Sequence, residues 1–163
     1  MASFGDLRRL ARAGTLARSE APVLLVGFQR PDDAIRQFRT QTEETVRGPV
    51  PALSEVLADL FTEVVRIEKG ERNPYGDFIF VGRGSTSDLV LNDPSVSKSH
   101  AVFQYEAGRW FLKDNRARNG THVDGRRLEP GERIALRSGA QIVLGAYAAY
   151  FLDAEHFDRA LRA

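Results

Sequence analysis

The sequence predicts a mainly β fold, a sandwich or barrel with helical additions, and three observations carry that prediction. From Val64 onward, short runs rich in β-branched and aromatic residues recur between turn dipeptides, the pattern of an all-β domain. Before about Thr62 the texture differs, with eight arginines, no lysine and little strict alternation. The length of 163 residues suits one core with an ordered extension rather than two typical domains. The expected organisation is an N-terminal extension over 1–62, a β domain over 63–153 and a C-terminal helix over 154–163.

In chain order, Ser3 with Asp6 forms a helix-start pattern ahead of Leu7, Leu10 and Ala11. Val23 to Val26, closed by Gly27, is a β-rich run whose continuous apolarity fits an extra strand or a buried helix equally. Pro31-Asp32-Asp33 opens a short predicted helix carrying Ile35 and Phe38, and Arg47-Gly48-Pro49 reads as a break. After Pro51, residues Leu53, Val56, Leu57, Leu60, Phe61 and Val64 recur at the spacing of one buried helical face.

At least nine strands follow: Val64–Glu68, Phe78–Gly82, Asp88–Leu91, His100–Tyr105, Arg109–Asp114, Thr121–Val123, Arg133–Leu136, Gln141–Leu144 and Tyr147–Leu152. Glu106-Ala107-Gly108, Asp124-Gly125, Pro130-Gly131 and Ser138-Gly139 supply turn chemistry between them. Alternation places Ala101, Phe103 and Tyr105 on one face, and Trp110 and Leu112 on a face of the next strand, so these faces are expected to meet near the core. Glu155 to Arg162, with Phe157, Ala160 and Leu161 in helical register, predicts a terminal helix.

Composition narrows the function classes. A hydrophobic fraction of 42% and a charged fraction of 28% are those of a globular protein. With Lys+Arg 23 against Asp+Glu 22, no broad basic surface is expected for nucleic acid or an anionic membrane, so any anion site must be local. The absence of cysteine removes disulfides, thiolate metal sites and cysteine nucleophiles, and fits a reducing compartment. The run Val23 to Val26 is too short to span a bilayer and follows no leader pattern, Ala2 rules out myristoylation, and no prenylation cysteine ends the chain, so the expected location is cytoplasmic. His100, His122 and His156 are scattered without metal-ligand spacing, and neither a metal nor a cofactor is expected.

Three predicted loops carry anion chemistry. Arg83 leaves a strand end between Gly82 and Gly84, and its guanidinium matches phosphate oxygens bidentately. Ser95-Val96-Ser97-Lys98-Ser99-His100 places hydroxyls and an ammonium group ahead of a strand. Asn119-Gly120 follows the polar segment Asp114 to Arg118, making a loop longer than a two-residue hairpin, and an asparagine amide has the donors and acceptor to grip a peptide main chain. Taken singly, each loop reads as ordinary surface chemistry. A dinucleotide fingerprint fails because Ser87 stands where the third glycine belongs. A serine hydrolase would need Ser97 or Ser99 with His100 or His122 and Asp93 or Asp114. It lacks a nucleophile elbow, and neighbours Ser99 and His100 would face opposite ways on a strand.

Taken together, Val81-Gly82-Arg83, Val96-Ser97-Lys98-Ser99-His100 and Asp114 through Asn119-Gly120-Thr121 to Gly125 resemble the forkhead-associated (FHA) domain over roughly Val64 to Asp153. The resemblance implies an eleven-stranded β-sandwich whose apical loops bind phosphothreonine, a non-enzymatic interaction module in Ser/Thr kinase signalling. Its implied partners are threonine-phosphorylated proteins, a Ser/Thr kinase or its substrates among them. It implies that Arg83 and Ser97 contact the phosphate, that Asn119 grips the ligand main chain, that Lys98 adds a phosphate or peptide contact, and that Gly82, His100 and Gly120 support the site.

Ala117 and Arg118 stand where the family commonly has Ser and Thr, which removes a hydroxyl bond within that loop and places Arg118 to favour acidic ligand flanks. The polar stretch containing Thr40, Thr42 and Thr45 reads either as a linker between short helices or as a phosphorylated tail that occupies the protein's own site, an arrangement it shares with small bacterial FHA regulators. The competing function is a phosphate-independent scaffold that uses the sandwich or the N-terminal extension.

Overall fold

A computed structural model describes residues 2–18, 20–26, 52–59 and 62–163. The predicted helix at Ile35 and Phe38, and the candidate phosphorylation sites Thr40, Thr42 and Thr45, lie outside the described residues. Among the described residues, three helices and eleven strands run in the order α1 (Phe4–Arg12), β1 (Val23–Val26), α2 (Leu53–Ala58), β2 (Glu63–Arg66), β3 (Phe78–Gly82), β4 (Leu89–Val90), β5 (Ala101–Glu106), β6 (Arg109–Asp114), β7 (Thr121–Val123), β8 (Arg126–Arg127), β9 (Arg133–Leu136), β10 (Gln141–Leu144), β11 (Tyr147–Leu152) and α3 (Ala154–Arg162).

The strands form two sheets, a six-stranded one in the order β2-β1-β11-β10-β7-β8 and a five-stranded one in the order β4-β3-β5-β6-β9. All pairings are antiparallel except β3 with β4. Between the sheets, Phe103 lies opposite Leu112 in register and both are fully buried. Tyr105 opposite Trp110 brings the ring centroids to 5.1 Å, as the alternation predicts, although Tyr105 sits at the open edge of the core.

The outer face of the six-stranded sheet carries a second apolar layer. Phe4, Leu7 and Ala11 of α1, Val56 of α2, and Phe157 and Leu161 of α3 pack with Val23, Leu25, Val64, Tyr150 and Leu152 of the sheet. The opposite faces of β1 and β11 present Leu24, Val26, Ala149 and Phe151 to the inter-sheet core. A strand buried on both faces needs no polar alternation, which explains the unbroken Val-Leu-Leu-Val run and resolves it as a strand. The helices cap themselves: Ser3 Oγ accepts from the Asp6 N–H at 3.2 Å and Asp153 Oδ1 from the His156 N–H at 2.8 Å.

One expectation is corrected. The helical periodicity reaching Val64 continues only to Ala58, because Asp59 turns to extended backbone and Glu63–Arg66 pairs with β1 as a strand. Thr62 fixes the switch, its buried hydroxyl donating to the Val56 carbonyl at 2.6 Å. Val64 therefore joins the helical layer from a strand, and its β-branched neighbour Val65 leans toward the sandwich core. The short edge strand β8 was not predicted, since two arginines carry no apolar signal.

Candidate functional site

The loops after β3, before β5 and after β6 are bound to one another at one end of the sandwich, mostly through backbone. Gly82 makes the approach possible, because a Cβ there would collide with the Lys98 carbonyl and stand 2.9 Å from that of Ser97. Across this bare surface, Arg83 N–H donates to Ser97 O at 2.9 Å, Gly84 N–H to Lys98 O at 3.0 Å and His100 N–H to Val81 O at 2.9 Å. Arg83 is exposed, yet its Nε donates to the Val96 carbonyl at 3.1 Å, so the root of the guanidinium is tethered while both Nη groups remain for an anion.

Ser97 is held from two sides. Its N–H donates to His100 Nδ1 at 3.0 Å, and its Oγ accepts from the Arg118 N–H at 3.0 Å. With one lone pair engaged, the hydroxyl proton is left to donate outward. Lys98 is exposed beside it. Arg118, on the loop that lacks the Ser/Thr pair, supplies through its backbone a tie that no hydroxyl at its own position is needed to make. Asn119 Nδ2 donates to the Ser95 carbonyl at 2.9 Å, which orients the amide and leaves its carbonyl oxygen and a second N–H exposed.

His100 is fully buried beneath these loops. Its Nε2 lies 3.0 Å from the Gly120 carbonyl, which can only accept, so Nε2 carries the proton and Nδ1 is the acceptor for Ser97. Burial lowers the His100 pKa, with the Gly120 hydrogen bond and the Asp114 charge opposing that shift. A second proton on the ring would face the Ser97 N–H and break the bond that seats the serine. Gly120, at φ +77°, also accepts from the Gly145 N–H at 3.0 Å, joining the turn after β10 to the same end.

Further supports were not predicted from the sequence. Asp114 is buried, accepting from Thr121 Oγ1 at 2.7 Å and from the Arg116 N–H at 2.9 Å, and so holds both ends of its loop. Ser95 Oγ donates to Asp93 Oδ1 at 2.6 Å and accepts from the Ala146 N–H at 2.8 Å. Gly145 permits that approach, and a glycine directly after the apolar run Gln141–Leu144 was the available signal. The hydrolase geometry is not assembled. Both His100 ring nitrogens bond to backbone, and Ser99 Oγ accepts instead from Asn115 Nδ2 at 2.8 Å. Among the described residues no group of three or more His, Asp or Glu gathers to hold a metal.

Residues 79–145 match the family model of the FHA domain. The chain carries an FHA domain. The matched FHA segment runs from Ile79 in β3 to Gly145 and so contains all three loops. Similar proteins include the glycogen accumulation regulator GarA of Mycolicibacterium smegmatis, 34% identical over 77 residues that make up 47% of each chain. The oxoglutarate dehydrogenase inhibitor of Corynebacterium efficiens is 35% identical over 71 residues, 44% of this chain and 48% of that protein. The chain thus spans about half the length of these relatives. Among solved structures, an engineered FHA domain with a Myc-pTBD peptide superposes with a TM-score of 0.53 at 16% identity, covering 90% of this chain and 100% of that one, a likeness of fold.

Proposed function

We propose that this protein is a phosphothreonine-dependent interaction module, in which Arg83, Ser97 and Lys98 take the phosphate, Asn119 holds the ligand main chain, and Arg118 reads acidic flanking groups. Gly82, His100 and Gly120 act as supports. The observation that carries the reading is the state of Ser97: its hydroxyl oxygen already accepts from the Arg118 N–H, leaving the proton as a donor beside an arginine tethered by Nε alone. Charge-assisted donors of this kind suit a phosphate dianion, and the backbone bonds behind them pre-organise the site.

The partners are threonine-phosphorylated proteins, a Ser/Thr kinase or its substrates among them, met in the cytoplasm. No helix among the described residues is long and apolar enough to cross a membrane. FHA domains are interaction modules, and binding without turnover is the expected activity. The binding unit is the sandwich over 63–153 with β1 added to its sheet, flanked by the remaining N-terminal segment and the terminal helix 154–163. Phosphorylation at Thr40, Thr42 or Thr45 would then act on this site from within the same chain.

Isothermal titration of the full chain against phosphothreonine peptides, each paired with its unphosphorylated twin, tests the reading. Binding of the phosphorylated member only, weakened by salt and lost in Arg83→Ala, is expected. Equal binding of the twins refutes it, and an Arg83→Ala protein that retains the same partners moves the interaction to another face.

A further inference from the structure

Most arginines in the described part of the chain that reach a carboxylate do so away from the apical loops: Arg9 with Asp6, Arg66 with Glu68, Arg137 with Asp124, Arg159 with Glu155 and Arg162 with Asp158. At the loop end the balance is reversed. Arg83, Lys98, Arg116, Arg118 and Arg127 are exposed, and among the described residues none has a carboxylate within ion-pair distance. The nearby carboxylates are engaged otherwise, Asp93 by Ser95 and Asp114 by Thr121 and the Arg116 N–H.

Arg127 is the member that the sequence pattern does not point to. It sits on β8 next to Arg126, and side chains alternate along a strand, so the two face opposite ways. Arg126 is held by Glu132 at 2.7 and 3.3 Å. Arg127, opposite His122 in register, turns back over Gly120. A Cβ on Gly120 would lie 2.9 Å from Arg127 Nε and 3.0 Å from its Cζ and Nη2, so the guanidinium occupies the space left by the missing side chain. That space adjoins Asn119.

A phosphate monoester carries about −1.5 to −2 charges near neutral pH. Arg83 and Lys98 match that charge, which leaves Arg116, Arg118 and Arg127 in excess at one end of the protein. We infer that Arg127, with Arg118, forms a second anion subsite beside the phosphothreonine site, so that the preferred ligand is a phosphothreonine peptide bearing a further negative group, a carboxylate or a second phosphate. Arg127 is the specificity-determining residue of this subsite: its guanidinium is placed by Gly120 and keeps its N–H edges for the ligand. The inference rests on the proposed phosphothreonine reading of the same loops.

The test is isothermal titration of the full chain with three peptide sets sharing one phosphothreonine: neutral flanks, a single glutamate moved through the flanking positions, and a single phosphoserine moved likewise. At one position the added anion is expected to tighten binding by about tenfold, as a charge-assisted bond does. In Arg127→Gln that gain falls to about twofold or less, while the neutral-flanked peptide binds as in the unmodified chain. Glutamate giving the full gain identifies a carboxylate as sufficient, and phosphoserine alone giving it identifies a second phosphate. Arg118→Gln is expected to reduce the same gain, and an unchanged thermal melt shows that either variant remains folded. No gain from any added anion in the unmodified chain, or an undiminished gain in Arg127→Gln, overturns the inference. Failure of the neutral-flanked phosphopeptide to bind better than its unphosphorylated twin instead overturns the phosphothreonine reading itself.

Discussion

Arginines of the helical layer bond within the fold, and those of the apical loops largely do not. In the helical layer, Arg162 Nε meets Asp158 at 3.0 Å, Arg159 meets Glu155 at 2.8 Å, and Arg12 donates to the Ala163 carbonyl at 2.5 Å. In the loops, Arg83 makes one tethering bond to a carbonyl, while Arg118 and Arg127 reach no carboxylate among the described residues. The buried groups differ in the same sense. Phe4 and Phe157, with ring centroids 6.3 Å apart, anchor the helices, whereas His100, Asp114 and Thr121 lie beneath the loops. One region uses apolar area to stabilise and leaves its charges paired. The other uses buried polar groups to hold a loop shape whose charges stay unneutralised, an arrangement suited to a ligand.

If that division is right, the largest effect on stability comes from the helical layer and leaves binding alone. Phe157→Ala removes a ring that is 1% exposed, and is expected to destabilise the protein by about 3–5 kcal/mol in urea unfolding. Phosphopeptide affinity of the protein that remains folded should stay within about twofold, a change of under 0.5 kcal/mol. A parallel fall in affinity would mean that the helices position the loops.

Arg83→Ala is the converse case. Its side chain is exposed and, among the described residues, bonds only to the Val96 carbonyl, so the melting temperature should barely move. Phosphopeptide binding should weaken by about 30-fold to 100-fold, or 2–3 kcal/mol, for loss of a charge-assisted donor pair. A stability loss as large as the binding loss would erase the distinction between the two regions.

At the loop end acid acts through His100, and less than either substitution, since it disturbs one hydrogen bond without removing a side chain. His100 is held neutral by burial, its pKa below the ordinary imidazole value of about 6.5. The unfolded chain therefore takes up a proton first as pH falls, so the contribution of neutral His100 is fully present above that ordinary value. It is lost as pH falls toward and through the folded value, and is constant below it. Unfolding free energies measured between about pH 5 and pH 8 should decline on acidification, and phosphopeptide affinity should decline with them as Ser97 loses its seat. A His100→Gln variant should lose that shared slope; an identical slope in the variant would assign it to other groups.

How much of this was legible in the sequence depends on the range of the forces involved. Turn dipeptides and alternation act locally, so Phe103 facing Leu112 was readable, as was the terminal helix with buried Phe157 and Leu161. Arg83, Ser97 and Asn119 could be singled out because their three loops follow a recognisable order. Their connections could not be read. That Ser97 Oγ would accept from Arg118, that Gly120 would make room for Arg127, and that Ser95 would receive Asn119 are contacts across 21, 7 and 24 positions, set by how the loops pack. The end of α2 was misread for a related reason. Helical spacing continued through Val64, but pairing with β1 overrode it once Thr62 had closed the turn.

The smallest expected effect sharpens the contrast most directly, because it places the same chemical change on a paired arginine. Arg159 and Glu155 are both well exposed, with side chains 67% and 77% accessible, and they sit one helical turn apart on α3. A pair of this kind contributes about 0.3–0.5 kcal/mol, since water screens the attraction and two long side chains lose freedom to make it. Arg159→Ala should lower unfolding stability by no more than that, and the difference should fade at high salt. Net charge changes by the same unit as in Arg83→Ala, so any general electrostatic steering of an anionic peptide would be weakened equally in both variants. Unaltered affinity in Arg159→Ala beside a large loss in Arg83→Ala would show that position and freedom from a carboxylate, rather than total positive charge, make the apical arginine a reader.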